Sequence, residues 1–234
     1  MKRYLRISFA VFILVGTANV RAQNFEFTVK HHHTLKDCQG TLKISGDGVE
    51  YLTTHAKDSR FWKFDEIRTL EVKSPTEISV VTYEDQKRWL GKDKVFEFTL
   101  LDKKATPELS AFLLARVKRP MEVAVLPEQG VPKFELPVKH LHTITGTTGV
   151  LKIYPDKIVY ETARQGDSRY WRLTDIERFS QSDRFRFQIV SYVPKAGGPT
   201  EIYNFQLMED LPEGLYDYLW VRLHPSSYYP EVRQ

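Results

Sequence analysis

Short stretches of alternating apolar and polar side chains recur along the first half of the chain. Alternation with a period of two is typical of a strand that buries one face. The stretches with this pattern, or with many β-branched and aromatic residues, are FEFTVKHHH from residue 25, TLKIS (41–45), GVEYLTT (48–54), SRFWKF (59–64), IRTLEV (67–72), EISVVTYE (77–84) and KVFEFTLL (94–101). The pattern therefore predicts seven strands in sequence.

A helical pattern follows the seventh strand. Thr106 is a suitable N-cap, Pro107 suits the first helical position, and apolar residues recur at helical spacing up to residue 117. We expect one amphipathic helix with Leu109, Phe112 and Leu113 against the sheet. The corresponding residues near the end of the chain are Leu215, Tyr218 and Leu219.

The chain repeats itself at an offset of 109 residues. DSRFW (58–62) returns as DSRYW (167–171), and GTLKI (40–44) returns as GVLKI (149–153). About a third of the positions from 25 to 83 are identical without a gap. This indicates a duplicated unit of roughly 90 residues, which is long enough for a small core of its own.

The repeat sets the predicted domain organisation. The linker holds several prolines, which interrupt regular structure, although Met121–Leu126 could add an edge strand or dock on a neighbour. The predicted segments are a signal peptide (1–22), a first repeat (23–117), a Pro-rich linker (118–132), a second repeat (133–224) and a C-terminal tail (225–234).

Each repeat resembles the bacterial pleckstrin-homology-like (PH-like) and GRAM-like modules. The resemblance rests on the G-x-L-x-I strand, on the aromatic-Trp strand that enters an acidic-Ile corner, and on the order of seven strands and one helix. It implies a mainly β fold of two tandem β-barrel or sandwich domains, each closed at one end by its C-terminal helix. Such modules mostly bind lipids, peptides or protein surfaces. The alternative architecture is another small antiparallel barrel with a terminal helix.

The basic charge of the chain belongs to its first 22 residues. The formal net charge is +4, and Lys2, Arg3, Arg6 and Arg21 account for all of it, which leaves 30 basic and 30 acidic side chains in the rest. Without net positive charge, nucleic-acid binding is not expected. A positive n-region, an apolar run and Val20-Arg21-Ala22 predict a cleaved leader and export to the periplasm or the medium. An uncleaved membrane anchor is the alternative.

Export makes the single cysteine informative. Cys38 cannot form an internal disulfide, and Thr147 occupies its position in the second repeat. We therefore expect the thiol to be dispensable to the fold. An intermolecular bridge is the alternative.

The repeated DSR-aromatic-Trp motif allows two interpretations. The first is a core tryptophan with an arginine that closes a turn. The second is a surface anchor for a partner, because tryptophan and arginine dominate interface hot spots. The candidate partner-binding residues are Arg60, Trp62, Arg169 and Trp171.

Two pairs of histidines stand two residues apart on predicted strands, so each pair shares one face of a sheet. These candidate metal ligands are His31, His33, His140 and His142. A metal normally takes three or four ligands, and no Cys, Asp or Glu adjoins either pair in sequence. Polar strand residues are therefore the competing interpretation, and a site between the repeats that uses both pairs is a further possibility.

Other functions find no support in the sequence. The loops 34–40 and 143–149 lack the clustered Lys and Arg that phosphoinositide headgroups need, and no catalytic or cofactor motif is present. We therefore predict an exported, non-catalytic protein without a cofactor that binds a protein or peptide partner and is not an integral membrane protein after leader cleavage. The alternatives are metal binding and a secreted enzyme with its site at the seam between the repeats.

Overall fold

The structure is a computed structural model that describes residues 23–32, 37–86, 89–194 and 200–224. The predicted leader and C-terminal tail lie outside these residues. In the described part, no helix has the length and apolar character needed to cross a membrane.

The described residues are mainly β, with two α-helices. The first half contains β1 (Phe25–His31), β2 (Cys38–Ile44), β3 (Val49–Thr53), β4 (Arg60–Trp62), β5 (Ile67–Ser74), β6 (Glu77–Gln86), β7 (Trp89–Leu100) and α1 (Pro107–Arg116). The strand β8 (Met121–Val123) follows. The second half contains β9 (Phe134–Leu141), β10 (Gly146–Ile153), β11 (Lys157–Glu161), β12 (Arg169–Arg172), β13 (Ile176–Asp183), β14 (Arg186–Pro194), β15 (Thr200–Leu207) and α2 (Leu215–Leu223).

The 15 strands that the structure describes belong to one hydrogen-bonded sheet. Its order is β13-β14-β15-β9-β10-β11-β12-β8-β5-β6-β7-β1-β2-β3-β4. The seven strands of each half follow the same internal order, so the predicted element order holds in both repeats. The two halves are not separate sheets, however, because β8 pairs with β5 on one side and with β12 on the other.

The position of β8 corrects the prediction for the linker. Met121–Val123 is a strand, but it lies near the middle of the sheet rather than at an edge. All three of its residues are buried. Met121 and Val123 belong to the core of the first half, and Glu122 hydrogen-bonds to side chains of the second half. Because side chains alternate along a strand, the three residues of β8 contact both halves: Met121 and Val123 contact the first, and Glu122 contacts the second.

The repeats agree in detail as well as in order. The pairing of β5 with β6 is irregular between Ile67 and Thr69, and the pairing of β13 with β14 is irregular between Ile176 and Arg178, at the same offset of 109. A Cβ atom added to Gly40 would lie 2.2 Å from the carbonyl oxygen of Leu52, and Gly149 is equally crowded. The glycine of each G-x-L-x-I strand therefore permits a close backbone approach.

Two hydrophobic clusters form the interior. One cluster consists of buried side chains of the second half, of which Leu136 is the first and Leu219 the last along the chain. The other contains the core of the first half together with Tyr154, Val159 and Tyr170 of the second. The first interior therefore extends across the seam, so the two halves pack as neighbours that share a boundary.

Both helices form as the sequence predicts. The Thr106 side chain accepts a hydrogen bond from the backbone N–H of Leu109 at 3.4 Å, so it caps α1. The side chains predicted to face the sheet are buried or partly buried against the cores: Leu109, Phe112, Leu113, Leu215, Tyr218 and Leu219.

Candidate functional site

The serine and arginine of the repeated DSR motif make the same contacts in both halves. The backbone N–H of Thr53 donates to Ser59 Oγ at 3.1 Å, and that hydroxyl donates back to the Thr53 carbonyl at 3.3 Å. Ser168 and Thr162 repeat this pair at 3.1 and 3.2 Å. The serine thus ties the turn before β4 or β12 to the end of the preceding strand.

The arginines close the same turns. Arg60 Nη1 donates to two turn carbonyls at 2.6 and 2.8 Å, and Arg169 Nη1 does so at the same two distances. Trp62 is 4% exposed and Trp171 is fully buried. The surface-anchor interpretation of Arg60, Trp62, Arg169 and Trp171 is therefore corrected for the tryptophans, because a buried indole offers a partner no contact area.

A buried polar cluster joins the halves at the seam. The Glu122 carboxylate accepts hydrogen bonds from Trp171 Nε1 at 3.0 Å and from the hydroxyl of Tyr203. Arg169 Nε lies 3.7 Å from the same carboxylate. Buried charges are stable in proteins when they are paired and hydrogen-bonded in this way.

Electrostatics at the seam follow from burial. Burial raises the pKa of the Glu122 carboxyl, although Arg169 and the Tyr203 hydroxyl oppose the shift. Glu71 stands beside Glu122 in the register of β5 and β8. Burial, with further contributions from neighbouring acids, raises the pKa of Glu71 to about 7.

The arginine after Trp171 also crosses the seam. Arg172 donates to the carbonyls of Leu114 and Val117 at 3.1 and 2.6 Å, at the C-terminus of α1. It also pairs with Asp175 through two hydrogen bonds of 2.7 and 2.9 Å. A guanidinium satisfies the last carbonyls of a helix and complements its dipole. The second half therefore caps the helix of the first.

The histidines of the first half do not present a described metal site. His31 is 4% exposed, and its ring packs against those of Tyr51, Phe96 and Phe98 at 5.0–5.5 Å. Cys38 Sγ lies 3.8 Å from His31 Nδ1. His33 and residues 34–36 of the adjoining loop lie outside the described residues.

The histidines of the second half meet a carboxylate that lies far away in sequence. His140 Nδ1 lies 3.1 Å from Asp167 Oδ1, and His142 Nε2 lies 3.1 Å from Asp167 Oδ2. No acid adjoins this pair in sequence, but the folded chain brings Asp167 next to both histidines. Asp167 is the first residue of the second DSR motif, so the motif and the histidine pair form one cluster, which we call the His–Asp cluster.

The His–Asp cluster is held by its surroundings. His140 is buried among the rings of Tyr160, Tyr203 and Phe205 at 5.1–5.6 Å. Burial would raise the pKa of Asp167, but its hydrogen bond to His140 and the charges of both histidines outweigh burial. They hold the pKa of Asp167 well below its usual range. The carboxylate is thus ionised at neutral pH and ready to accept two N–H donors or a cation.

The His–Asp cluster opens into a polar cleft of about 620 Å³ between the strands of the second half. Charged and polar side chains of both signs line this cleft, including His140, His142, Asp167, Arg169, Arg186 and Glu201. A cleft of this size and polarity can admit small hydrophilic groups or the side chains of a peptide.

The outer edge of β5 and the equivalent edge of β13 differ in what lies against them. In the first half β8 lies parallel to β5, with Leu70 opposite Met121 and Val72 opposite Val123. The corresponding strand of the second half is β13, which ends the sheet and has no strand on its outer side within the described residues. An unpaired edge of eight residues is a template for another strand.

Aromatic side chains of α2 lie beside this edge. Phe179 of β13 contacts the ring of Tyr216 at 4.9 Å, and Tyr216 stacks with Trp220 at 6.3 Å. Tyr216 is 36% exposed and Trp220 is 43% exposed. The edge of β13 therefore adjoins an exposed aromatic surface, which we call the α2 aromatic surface.

Comparisons with known proteins give no family. No protein-family model matches the chain, and no curated protein sequence matches it. A structure of the Spt16D Pob3N heterodimer is similar to 73% of this chain over 84% of its own, with 7% identity and a TM-score of 0.27. With a TM-score this low, the similarity does not indicate a shared fold or function.

Three features were not found from sequence: Glu122 as the polar centre of the seam, Asp167 as the partner of both histidines, and the position of β13 at the end of the sheet that the described residues form. Only Asp167 had a usable signal, because it belongs to a repeated motif downstream of a repeated His-x-His. The other two depend on which strands become neighbours.

Proposed function

We propose that this protein is an exported, non-catalytic binding protein of two tandem PH-like domains, and that it binds an extended segment of a protein partner along the outer edge of β13. One observation carries the proposal. The equivalent edge of the first half, on β5, already holds an extended segment in the form of β8. The second half has the same edge with no strand on it within the described residues.

The PH-like assignment rests on element order. Each half has seven strands and then one helix, and the seven strands are hydrogen-bonded in the same order. The helix of each half buries its apolar side against its own strands. These features support the tandem organisation of residues 23–117 and 133–224.

The backbone of β13 is set up for strand addition. In the first half, the carbonyl of Val72 accepts a hydrogen bond from the N–H of Ala124 just after β8, at 2.8 Å. The N–H and C=O of one strand residue point to the same side, so Val72 directs both towards β8. Gln181 is the residue 109 positions later, and the irregularities of the two strand pairs coincide. Gln181 therefore directs its backbone groups outwards.

Side chains give the partner its chemistry. The apolar side chains of Met121 and Val123, which alternate along β8, are buried in the first core. On the second half, the corresponding positions of a bound segment adjoin the α2 aromatic surface. We therefore expect a segment with large apolar side chains at alternate positions, a common mode of recognition by strand addition.

The test uses the segment that already occupies the equivalent edge. The mature chain is titrated with a synthetic peptide of residues 119–126, RPMEVAVL, and backbone amides are followed by NMR. We expect saturable binding with a Kd on the order of 100 µM, because a short flexible peptide loses conformational freedom on binding. Amides of Phe179 and Gln181 should gain protection from hydrogen exchange.

Two variants of one residue make the test specific for the backbone. Gln181→Pro removes an outward N–H from an edge strand, where proline is tolerated, and should abolish binding. Gln181→Ala keeps the N–H and should bind as the wild type does. Equal binding by both variants, or absence of protection on β13, would contradict the proposal.

Export has a separate test. If the leader is cleaved after Ala22, protein recovered from outside the cytoplasm begins at Gln23, and Edman or mass-spectrometric analysis detects this N-terminus. An N-terminus at Met1 in the exported material would favour the uncleaved anchor.

A further inference from the structure

We propose that His140, His142 and Asp167 form a binding site for one divalent transition-metal ion, with zinc as the best match, at the base of the polar cleft. This inference is independent of strand addition on β13, which uses other residues.

Distances within the His–Asp cluster fit a shared ion. The possible ligand atoms of the three residues lie within 4.8 Å of one another. Zinc binds imidazole nitrogen and carboxylate oxygen at about 2.0–2.2 Å, so neighbouring ligand atoms around a tetrahedral ion are about 3.3 Å apart. The two N···O distances in the cluster are both 3.1 Å, one to each oxygen of the Asp167 carboxylate.

The donor set selects the kind of metal. Two imidazoles and one carboxylate suit zinc and similar transition metals, whereas magnesium and calcium prefer sites made of oxygen. Three protein ligands leave a fourth position for water, as in sites that exchange ligands. All three residues line the cleft, so this fourth position would face it.

The surrounding structure holds the ligands in place before an ion arrives. His140 lies in β9, and His142 follows directly after the last residue of that strand. Ser168 and Arg169, the two residues that follow Asp167, hold the turn that carries it. Thr147 Oγ1 lies 3.2 Å from the same His142 Nε2 and accepts a hydrogen bond from Arg164 at 3.0 Å, so this hydroxyl borders the proposed site.

The alternative is a purely structural cluster in which Asp167 accepts two N–H hydrogen bonds. Isothermal titration of the metal-stripped mature chain with ZnCl₂ separates the two. We expect the wild type to bind one more equivalent of zinc than the variants Asp167→Asn and His142→Ala. Their affinity at this site should fall at least about 100-fold, the upper end of what loss of an outer-shell group costs. Cobalt should give the visible d–d bands of a tetrahedral site in the wild type and lose them in the variants.

Controls keep the result interpretable. His55→Ala removes an exposed imidazole outside the cluster and should leave zinc uptake unchanged. Asp167→Asn is isosteric, and circular dichroism verifies that each variant is folded. Zinc uptake that is the same in the wild type, Asp167→Asn and His142→Ala, or the absence of saturable uptake, overturns the proposal.

Discussion

The two halves of this protein bury equivalent tryptophans, but the polar side chains around the two indoles differ. In the first half, Trp62 packs on Phe96 with ring centroids 4.6 Å apart, and its Nε1 is buried with no partner among the described residues. In the second half, Trp171 packs on Tyr203 at 4.9 Å, and both donate to Glu122. The packing is common to both copies, and the polar contacts belong to the second alone.

The difference coincides with the neighbour that each half has. The tryptophan strand of the second half, β12, pairs with β8, which brings Glu122 to the indole. The tryptophan strand of the first half, β4, ends the sheet. A duplicated unit can thus keep its internal packing while its edges differ: one edge forms the seam, and the edge of β13 has no strand on it among the described residues.

Removing the acid of the seam should have the largest effect on this comparison. Glu122→Ala leaves Arg169 without its buried carboxylate and leaves Trp171 and Tyr203 without an acceptor. We expect a loss of about 3–5 kcal/mol in the free energy of unfolding, measured with denaturant. Glu135→Ala, an exposed position on β9, is the control and should change stability by less than about 0.5 kcal/mol. A similar loss of unfolding free energy in both variants would show that the contacts of Glu122 do not stabilise the seam.

Making the second half resemble the first should have a smaller effect. Tyr203→Phe keeps the ring on Trp171 but removes one hydrogen bond to the buried Glu122. The expected loss is about 1–3 kcal/mol, because a buried charged acceptor loses a donor. Tyr192→Phe, on a half-exposed tyrosine, should be neutral. If Tyr203→Phe is equally neutral, the hydroxyl contact is not stabilising.

A pH dependence of stability is expected from the first half alone at one position, because Glu71 there corresponds to Ser180 in the second half. Burial raises the pKa of Glu71 to about 7 from the usual 4.5, so the folded chain holds a proton that the unfolded chain releases. Stability should therefore fall as the pH rises from about 4.5 to 7. The side chain keeps some exposure, so we expect the fall to be about 1–2 kcal/mol.

Glu71→Gln should flatten this slope and make the chain more stable than the wild type above pH 7. Urea unfolding at several pH values measures it, and Glu135→Gln should keep the wild-type slope. A Glu71→Gln chain with an unchanged slope would contradict the assignment.

The smallest difference between the halves should appear at the serines of the repeated motif. Ser59→Ala and Ser168→Ala each remove the same two hydrogen bonds between turn and strand, and each should cost about 1–2 kcal/mol. The two losses should agree within about 0.5 kcal/mol in matched denaturant unfolding. A difference above about 1 kcal/mol would mean that the shared geometry hides unequal strain or packing.

Local patterns predicted much of the fold. The alternation in 25–101 and the helical spacing after Thr106 located the strands and helix of the first half, and the repeat carried them to the second. Of the two interpretations of the repeated motif, the turn closed by an arginine agrees with the contacts of Arg60. Each of these features depends on residues that are near one another in sequence, or that recur at a fixed offset.

The candidate site was predicted only in part. His140 and His142 were recognised as a pair on one face, but their carboxylate comes from Asp167, 25 residues after His142. The central place of β8 was also missed, because a short segment rich in apolar residues suits an edge and a middle position equally well.

The sequence by itself determined the duplicated plan of seven strands and a helix, because alternation, capping and the repeat are local properties of the chain. Only the tertiary structure decided that β8 fuses the halves into one sheet, that Asp167 meets both histidines, and that β13 ends the sheet in the described part of the chain. Strand neighbours are chosen by packing and hydrogen bonding between distant residues, and no local pattern records that choice.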